Sequence, residues 1–201
     1  MPVPADSTQA DCHLRLIRAA SEAFMKEGYR ASINQIAARA GVARQTLYNH
    51  FAGKDDLFSE VANIAAKSIL VSLDDGGGDI RQRLVRFGAT YRERLIGDEG
   101  LALFRTISAE APRFPELARA FYDKGPGQMV RRLAEFLSRA MDEKTLRRDD
   151  PKHAAETLLA MLDSGDRSRR LFGAPRLPAD QERARVSRIV DCFIRAFAPT
   201  R

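Results

Sequence analysis

The residues best placed for chemistry in this 201-residue chain are Arg44, Gln45, Tyr48 and Asn49, standing at i, i+1, i+4 and i+5. On a helix of 3.6 residues per turn that spacing puts them on one strip, flanked here by Thr46 and His50. A strip that meets only solvent is ordinarily rich in Glu and Lys. This one has no acid, and its side chains suit the edges of bases: Arg pairs with guanine, Asn and Gln with adenine. From Gly28 to Lys54 the basic residues are Arg30, Arg39, Arg44 and Lys54, with no Asp or Glu, a local charge of +4. Attraction to phosphate is decided at the contacting surface. The local figure therefore says more than the net +6 that 33 basic and 27 acidic residues give the whole chain.

The elements that must carry this strip are legible on either side of it. Ser32 stands where an N-cap belongs, with Gln35 three residues on as its capping-box partner. A short helix runs from about Ile33 to Ala40, Gly41 supplies the positive φ of a tight turn, and a second short helix runs from about Ala43 to His50. Two short helices across a glycine turn read as a helix-turn-helix. Ala37 is small where the second helix passes close, and Ile36, Ala40, Val42, Leu47 and Phe51 form the inward set. A longer helix precedes them, from about Ala10 to Glu27, with Leu14, Ile17, Ala20, Phe24 and Met25 at helical spacing. Another follows from Lys54, with Asp55 and Asp56 in its first turn, where the helix dipole favours negative charge.

Beyond Leu73 the apolar pattern stays helical and strand-like alternation is missing. Asp74-Asp75-Gly76-Gly77-Gly78-Asp79 reads as a flexible connector. Amphipathic segments follow over Ile80 to Ile96, Gly100 to Ala111, Pro115 to about Lys144 (broken at Gly125-Pro126-Gly127), Pro151 to Gly165, and Asp180 to Phe197. The Arg-rich stretch around Arg167, Arg169, Arg170 and Arg176 reads as a solvated loop, His153 as a surface residue, and Arg92 and Arg105 as solvated. The fold expected is all-α: a three-helix head over residues 1–53, a connecting helix over 54–73, and a larger helical bundle over 74–201.

Several function classes find no support. There is no nucleophile motif and no phosphate-cradling glycine loop after a strand, and Gly76 to Gly78 lacks the Lys of a P-loop. Cys12 beside His13 is too small a set for a metal site, and two cysteines so far apart in sequence, Cys12 and Cys192, read as small apolar residues in a reduced compartment. Neither an enzyme nor a cofactor is expected. No apolar run approaches the roughly 20 residues that span a bilayer. The segment Met1 to Ala10, with Pro2 and Pro4, lacks a signal pattern, so a cytoplasmic location with no membrane partner is expected. A helical protein-binding adaptor would explain the long helices but not the acid-free strip.

The segment Gly28 to Phe58 resembles the DNA-binding head of the TetR family of bacterial regulators. The resemblance is carried by Gly28-Tyr29, Ile36-Ala37, Ala40-Gly41-Val42, Thr46-Leu47-Tyr48, His50-Phe51 and Lys54-Asp55-Asp56-Leu57. Residues Phe114 to Gly173 are similar to one C-terminal subtype of the same family. The resemblance implies that Arg44, Gln45 and Thr46 approach base edges in the major groove, with Asn49 on the same strip. It implies that Tyr48 and His50 reach phosphates or flanking bases, that Lys54 holds a phosphate, and that Ser32 and Asn34 lie against the DNA backbone. The plainer readings stay beside these: Tyr48 and Phe51 as core aromatics, His50 as a helix-terminal cation.

The resemblance further implies double-stranded DNA as partner, with a palindromic operator read by a homodimer, and a repressor released by a small apolar effector. A helical core that is often hollow in the family makes Phe87, Tyr91, Phe104, Ile107, Phe121, Met129 and Met161 candidate pocket residues, with Tyr91, Tyr122 or Gln128 as polar contacts. For the dimer interface the sequence itself offers the terminal apolar stripe Val186, Ile189, Val190, Phe193, Ile194 and Phe197. A patch of that size is unusual on a monomer's surface.

Overall fold

A computed structural model describes residues 5–74 and 77–199. Its described residues are helical throughout, with no strand: α1 (Ala5–Glu27), a 3-10 turn (Gly28–Arg30), α2 (Ile33–Arg39), α3 (Arg44–His50), α4 (Lys54–Asp74), α5 (Ile80–Ile96), α6 (Asp98–Glu110), α7 (Pro115–Lys124), α8 (Pro126–Asp142), α9 (Pro151–Asp163), α10 (Asp166–Leu171) and α11 (Ala179–Ala196). No helix among them is long and apolar enough to cross a membrane. The expected all-α architecture is present. Within the N-terminal segment read as lacking a signal, residues 1–4 lie outside the described residues.

Two packing units emerge, and their limits differ from the division at residues 53 and 73. The first unit joins the described residues up to Ile64 with Ala102–Gly125; the second joins Ala65–Leu101 with the residues from Pro126 onward. α1, α2, α3 and the start of α4 bury Leu16, Ala20, Phe24, Ile36, Leu47, Leu57 and Phe58, but Ile107 of α6 and Leu117 of α7 sit in the same core. Phe114 packs at 5.6 Å from Tyr29 and Phe121 at 5.4 Å from Phe58. A head this small cannot bury enough apolar surface by itself, and a segment some fifty residues downstream completes it. Local periodicity carries no sign of such long-range pairing.

The second unit is built around α8, whose Met129, Leu133, Phe136, Leu137 and Ala140 recur at helical spacing on one buried face. They meet Ile69 and Leu73 of α4, Leu84, Phe87 and Tyr91 of α5, Leu158 and Leu162 of α9, and Val186, Val190, Phe193 and Phe197 at the chain's end. Gly88 lets α5 lie close to its neighbours: a Cβ there would stand 2.9 Å from Leu162 Cδ2 and 3.0 Å from Val186 Cγ1.

Two sequence expectations change here, those for the Arg-rich stretch and for Arg92. The connector after α4 is held at both ends. Arg83 donates to the Leu73 carbonyl through Nε at 2.9 Å and Nη2 at 2.6 Å, satisfying a last-turn carbonyl of α4. Arg86 donates to the Gly77 carbonyl at 3.1 Å, and Asp79 caps α5 by accepting from the Gln82 amide at 2.8 Å. The connector's Asp75 and Gly76 lie outside the described residues. Of the Arg-rich stretch, Arg167, Arg169 and Arg170 lie in a short helix, α10, and Arg176 lies in the loop that follows it. Finally, Arg92 is buried at 2% exposure, not solvated; its guanidinium donates to the Leu162 carbonyl, Asp166 and Glu182. The partners lie 70 to 90 residues away, so no local pattern announced them. Arg105 is exposed, as expected.

Candidate nucleic-acid interface

α2 begins as its sequence dictates. Ser32 Oγ accepts from the Asn34 amide at 3.2 Å, and Gln35 Oε1 accepts from the Ser32 amide at 3.1 Å, closing the capping box. Gly41 follows at φ +68°, where a Cβ would be strained. The Val42 amide bonds back to the Ala37 carbonyl at 3.0 Å, fixing the turn. α3 then packs Leu47 fully inward, with Phe51 at 3% exposure just past its end. Because those two face the core, the opposite face is open: Arg44, Gln45, Tyr48 and Asn49 are exposed, Thr46 and His50 half-buried.

The exposed side chains are paired along the helix. Arg44 Nη2 donates to the Tyr48 hydroxyl at 3.3 Å, with the guanidinium carbon 5.4 Å from the ring centre. Gln45 Nε2 donates to Asn49 Oδ1 at 3.2 Å. Both are i, i+4 contacts, which order long side chains at small cost. After the Gln45–Asn49 bond, Gln45 keeps its carbonyl oxygen and Asn49 its amide donor. Together they offer the acceptor and donor that an adenine edge requires. Tyr48 is thus an exposed residue and Phe51 a core one. His50 is held from the α1 side, its ring 5.9 Å from His13, which itself stacks on Phe51 at 4.9 Å.

The start of α4 is organised by contacts from Tyr29 and Lys124, which lie well away from it in sequence. Lys54 is half-buried with its ammonium 4.4 Å from the centre of the Tyr29 ring. Burial lowers the lysine's pKa, against the opposing pull of Asp55 and Glu110. The Tyr29 hydroxyl donates to Asp55, and burial followed by that hydrogen bond raises the phenol's pKa, keeping it neutral. Asp56 accepts from Lys124 Nζ at 2.8 Å and from the Ala52 amide at 3.1 Å. The Lys124 hydrogen bond is the main reason its carboxyl lies below the ordinary aspartate value. The turn from α3 into α4 is therefore fixed by α7. The local +4 is also trimmed, because Arg39 lies 3.7 Å from Glu27.

The other candidate residues are divided between the two units. Phe104, Ile107 and Phe121 belong to the first unit, where Ile107 is core and Phe104 is 36% exposed; Phe87, Tyr91, Met129 and Met161 belong to the second. Tyr122 is exposed in the first unit, while Gln128 in the second has a buried Oε1 with no hydrogen-bond partner in the protein. Of the terminal stripe, Val186, Val190, Phe193 and Phe197 are buried in their own chain, which removes them as free interface. Ile189 and Ile194 stay half-buried. Ile189 and the exposed Cys192 line an open groove of about 340 Å³ with Met161, Ser164, Arg185 and Arg188. Cys12 is buried, as a small apolar residue should be; Cys192 is not. No group of three or more potential metal ligands occurs among the described residues.

Comparison with known proteins bears on both parts of the chain. The model of the bacterial regulatory proteins of the tetR family matches residues 16–61, and that of the AefR-like transcriptional repressor C-terminal domain matches residues 82–199. An uncharacterized HTH-type transcriptional regulator of Mycobacterium bovis is 29% identical over 163 residues, 78% of this chain and 80% of its own length. A crystal structure of a TetR-family regulator from Mesorhizobium loti superposes with a TM-score of 0.77 at 28% identity, covering 94% of this chain and 98% of its own. The flavonoid-responsive regulator FrrA does so with a TM-score of 0.70 at 30% identity, over the same shares.

Proposed function

Because the chain belongs to the TetR family of bacterial transcriptional regulators, and is a DNA-binding regulator by that membership, we propose that it is a cytoplasmic repressor released from its operator by a small molecule. The observation that carries this reading is the acid-free face of α3, with Arg44 held against Tyr48 and Gln45 against Asn49. Arg44, Gln45, Thr46 and Asn49 read base edges; Tyr48, His50, Lys54, Ser32 and Asn34 reach the phosphate backbone. One recognition helix reads too little sequence for specificity, so two copies bind a palindrome. They pair through the outer face of α9 and α11 around Ile189 and Cys192.

The effector enters the core of the second unit beside Phe87, Tyr91 and Met129, while Met161 lines the outer groove. The buried, unpartnered Gln128 Oε1, one residue from Met129, is the polar contact offered to the effector. FrrA is responsive to flavonoids, so flat, mostly apolar aromatics are the first probes. Such a ligand lowers DNA affinity only by binding the DNA-free form more tightly, by the same factor. The test is anisotropy of genomic fragments from around the protein's own gene, with and without flavonoids. Binding to one fragment over random DNA is expected, and Arg44→Ala should relax that preference at a cost of about 1–3 kcal/mol. No preference for any fragment sinks the reading.

A further inference from the structure

The second unit holds a cluster of charge apart from the α3 surface and from the Phe87–Met129 core. A cavity of about 20 Å³, room for one water-sized group, is bounded by the end of α5, by α10, and by the loop leading to α11. Four guanidiniums line it, from Arg92, Arg169, Arg170 and Arg176, against two carboxylates, Asp166 and Glu182. Both acids are already engaged. Arg92 donates to each of them, and Asp166 is also met by Arg185 at 2.9 Å and Arg169 at 3.4 Å.

Arg170 is engaged only in part. Its Nη2 donates to Asp98 and its Nη1 to the Ala174 carbonyl at 3.0 Å, but its Nε is buried and makes no hydrogen bond within the protein. A buried donor left without an acceptor is costly, and protein interiors rarely tolerate one. Counting Arg185 and Asp98 with the lining residues, five arginines face three carboxylates. Both the excess charge and the free donor call for an anion. The rest of the wall is apolar: Ile96, Ala174, Pro175 and Leu177.

We propose that this pocket binds the carboxylate of a small organic monocarboxylic acid. Arg170 Nε and the exposed Arg176 guanidinium donate to its oxygens, while Ile96, Pro175 and Leu177 cover its alkyl part. The planar guanidinium matches a carboxylate. The cavity itself takes one carboxylate oxygen and the rest of the acid lies along the apolar wall, which a halide or an inorganic oxyanion leaves unused. The site stands whether or not its occupancy is felt at the DNA.

The test uses the full-length protein and n-butyrate as probe, titrated at constant ionic strength against sodium chloride and followed by calorimetry and thermal midpoint. A saturable heat and a rising midpoint are expected, since a ligand that binds only the folded state stabilises it. Butanol and inorganic phosphate should be silent. Arg176→Ala, at an exposed position that leaves the fold intact, and Arg170→Gln should each weaken butyrate about ten-fold or more, whereas Arg139→Ala on α8 should not. Equal shifts from butyrate and chloride overturn the proposal, as does a butyrate response that survives both pocket variants. Phosphate binding as tight as butyrate overturns the carboxylate assignment.

Discussion

The ammonium of Lys54 lies over the Tyr29 ring, 4.4 Å from its centre, while the hydroxyl of that ring donates to Asp55, the next residue along α4. One aromatic side chain thus sets both the charge and the direction of the first turn of α4. If Lys54 meets a phosphate, Lys54→Ala should weaken binding to all sequences and lower the log–log salt slope by about one. Tyr29→Phe keeps the platform and should bind nearly as the parent does. Tyr29→Leu keeps the bulk but loses the ring face; it should cost about 0.5–1 kcal/mol with the salt slope unchanged. Anisotropy at three salt concentrations separates these outcomes.

Asp56 and Lys124 give the first unit a pH dependence whose sign is set by the carboxylate. The folded-state pKa of Asp56 is lowered, chiefly by the Lys124 hydrogen bond, from its ordinary 3.8. Its contribution to stability is therefore complete above that value and is lost as pH falls through the lower, folded value. Both side chains are 37% exposed, so screening keeps the contribution below about 1 kcal/mol. Lys124→Met should remove this part of the acid sensitivity. Urea midpoints at neutral pH and in the acid range should converge on the parent's acid value if the pair acts as described.

Arg92 is the costliest charge to remove. Its side chain is 2% exposed and Asp166's is 6%. Arg92→Met leaves buried Asp166 to Arg185 and Arg169 alone and Glu182 without its partner, a loss of at most about 3–5 kcal/mol in this class of change. Arg92→Met with Asp166→Leu should recover part of that, because the most deeply buried carboxylate goes with its partner, while Glu182 at 24% and Arg185 at 31% exposure can turn to solvent. Chemical denaturation of the two variants checks the ordering; equal losses would show that packing, not charge, dominates.

The end of the chain separates folding from pairing. Phe193 is fully buried, so Phe193→Asp should unfold the second unit instead of releasing monomers. Ile189, on the outer groove, is the residue whose change to Glu should leave helical content intact and shift the sedimentation coefficient toward a monomer. A folded, monomeric Phe193→Asp protein would reverse this assignment.

The sequence alone determined the local devices of the DNA-binding surface. Capping by Ser32 and Gln35, the positive φ of Gly41, the inward Leu47 and the outward Arg44 strip all act over five residues or fewer. Propensity and period are enough to place them. It also placed α5, α8, α9 and α11 closely, because their amphipathic stripes are strong. Only the tertiary structure decided which apolar faces were already covered. The terminal stripe looked free because a helix pattern shows that a face must be buried, not by what; α5 and α9 bury it. The same limit hid Arg92, whose sequence neighbours do not reveal Asp166 or Glu182. It hid the joining of α6 and α7 to the N-terminal core as well. Packing and ion pairing across some 70 residues depend on where the helices come to lie, and spacing along the chain carries no record of that.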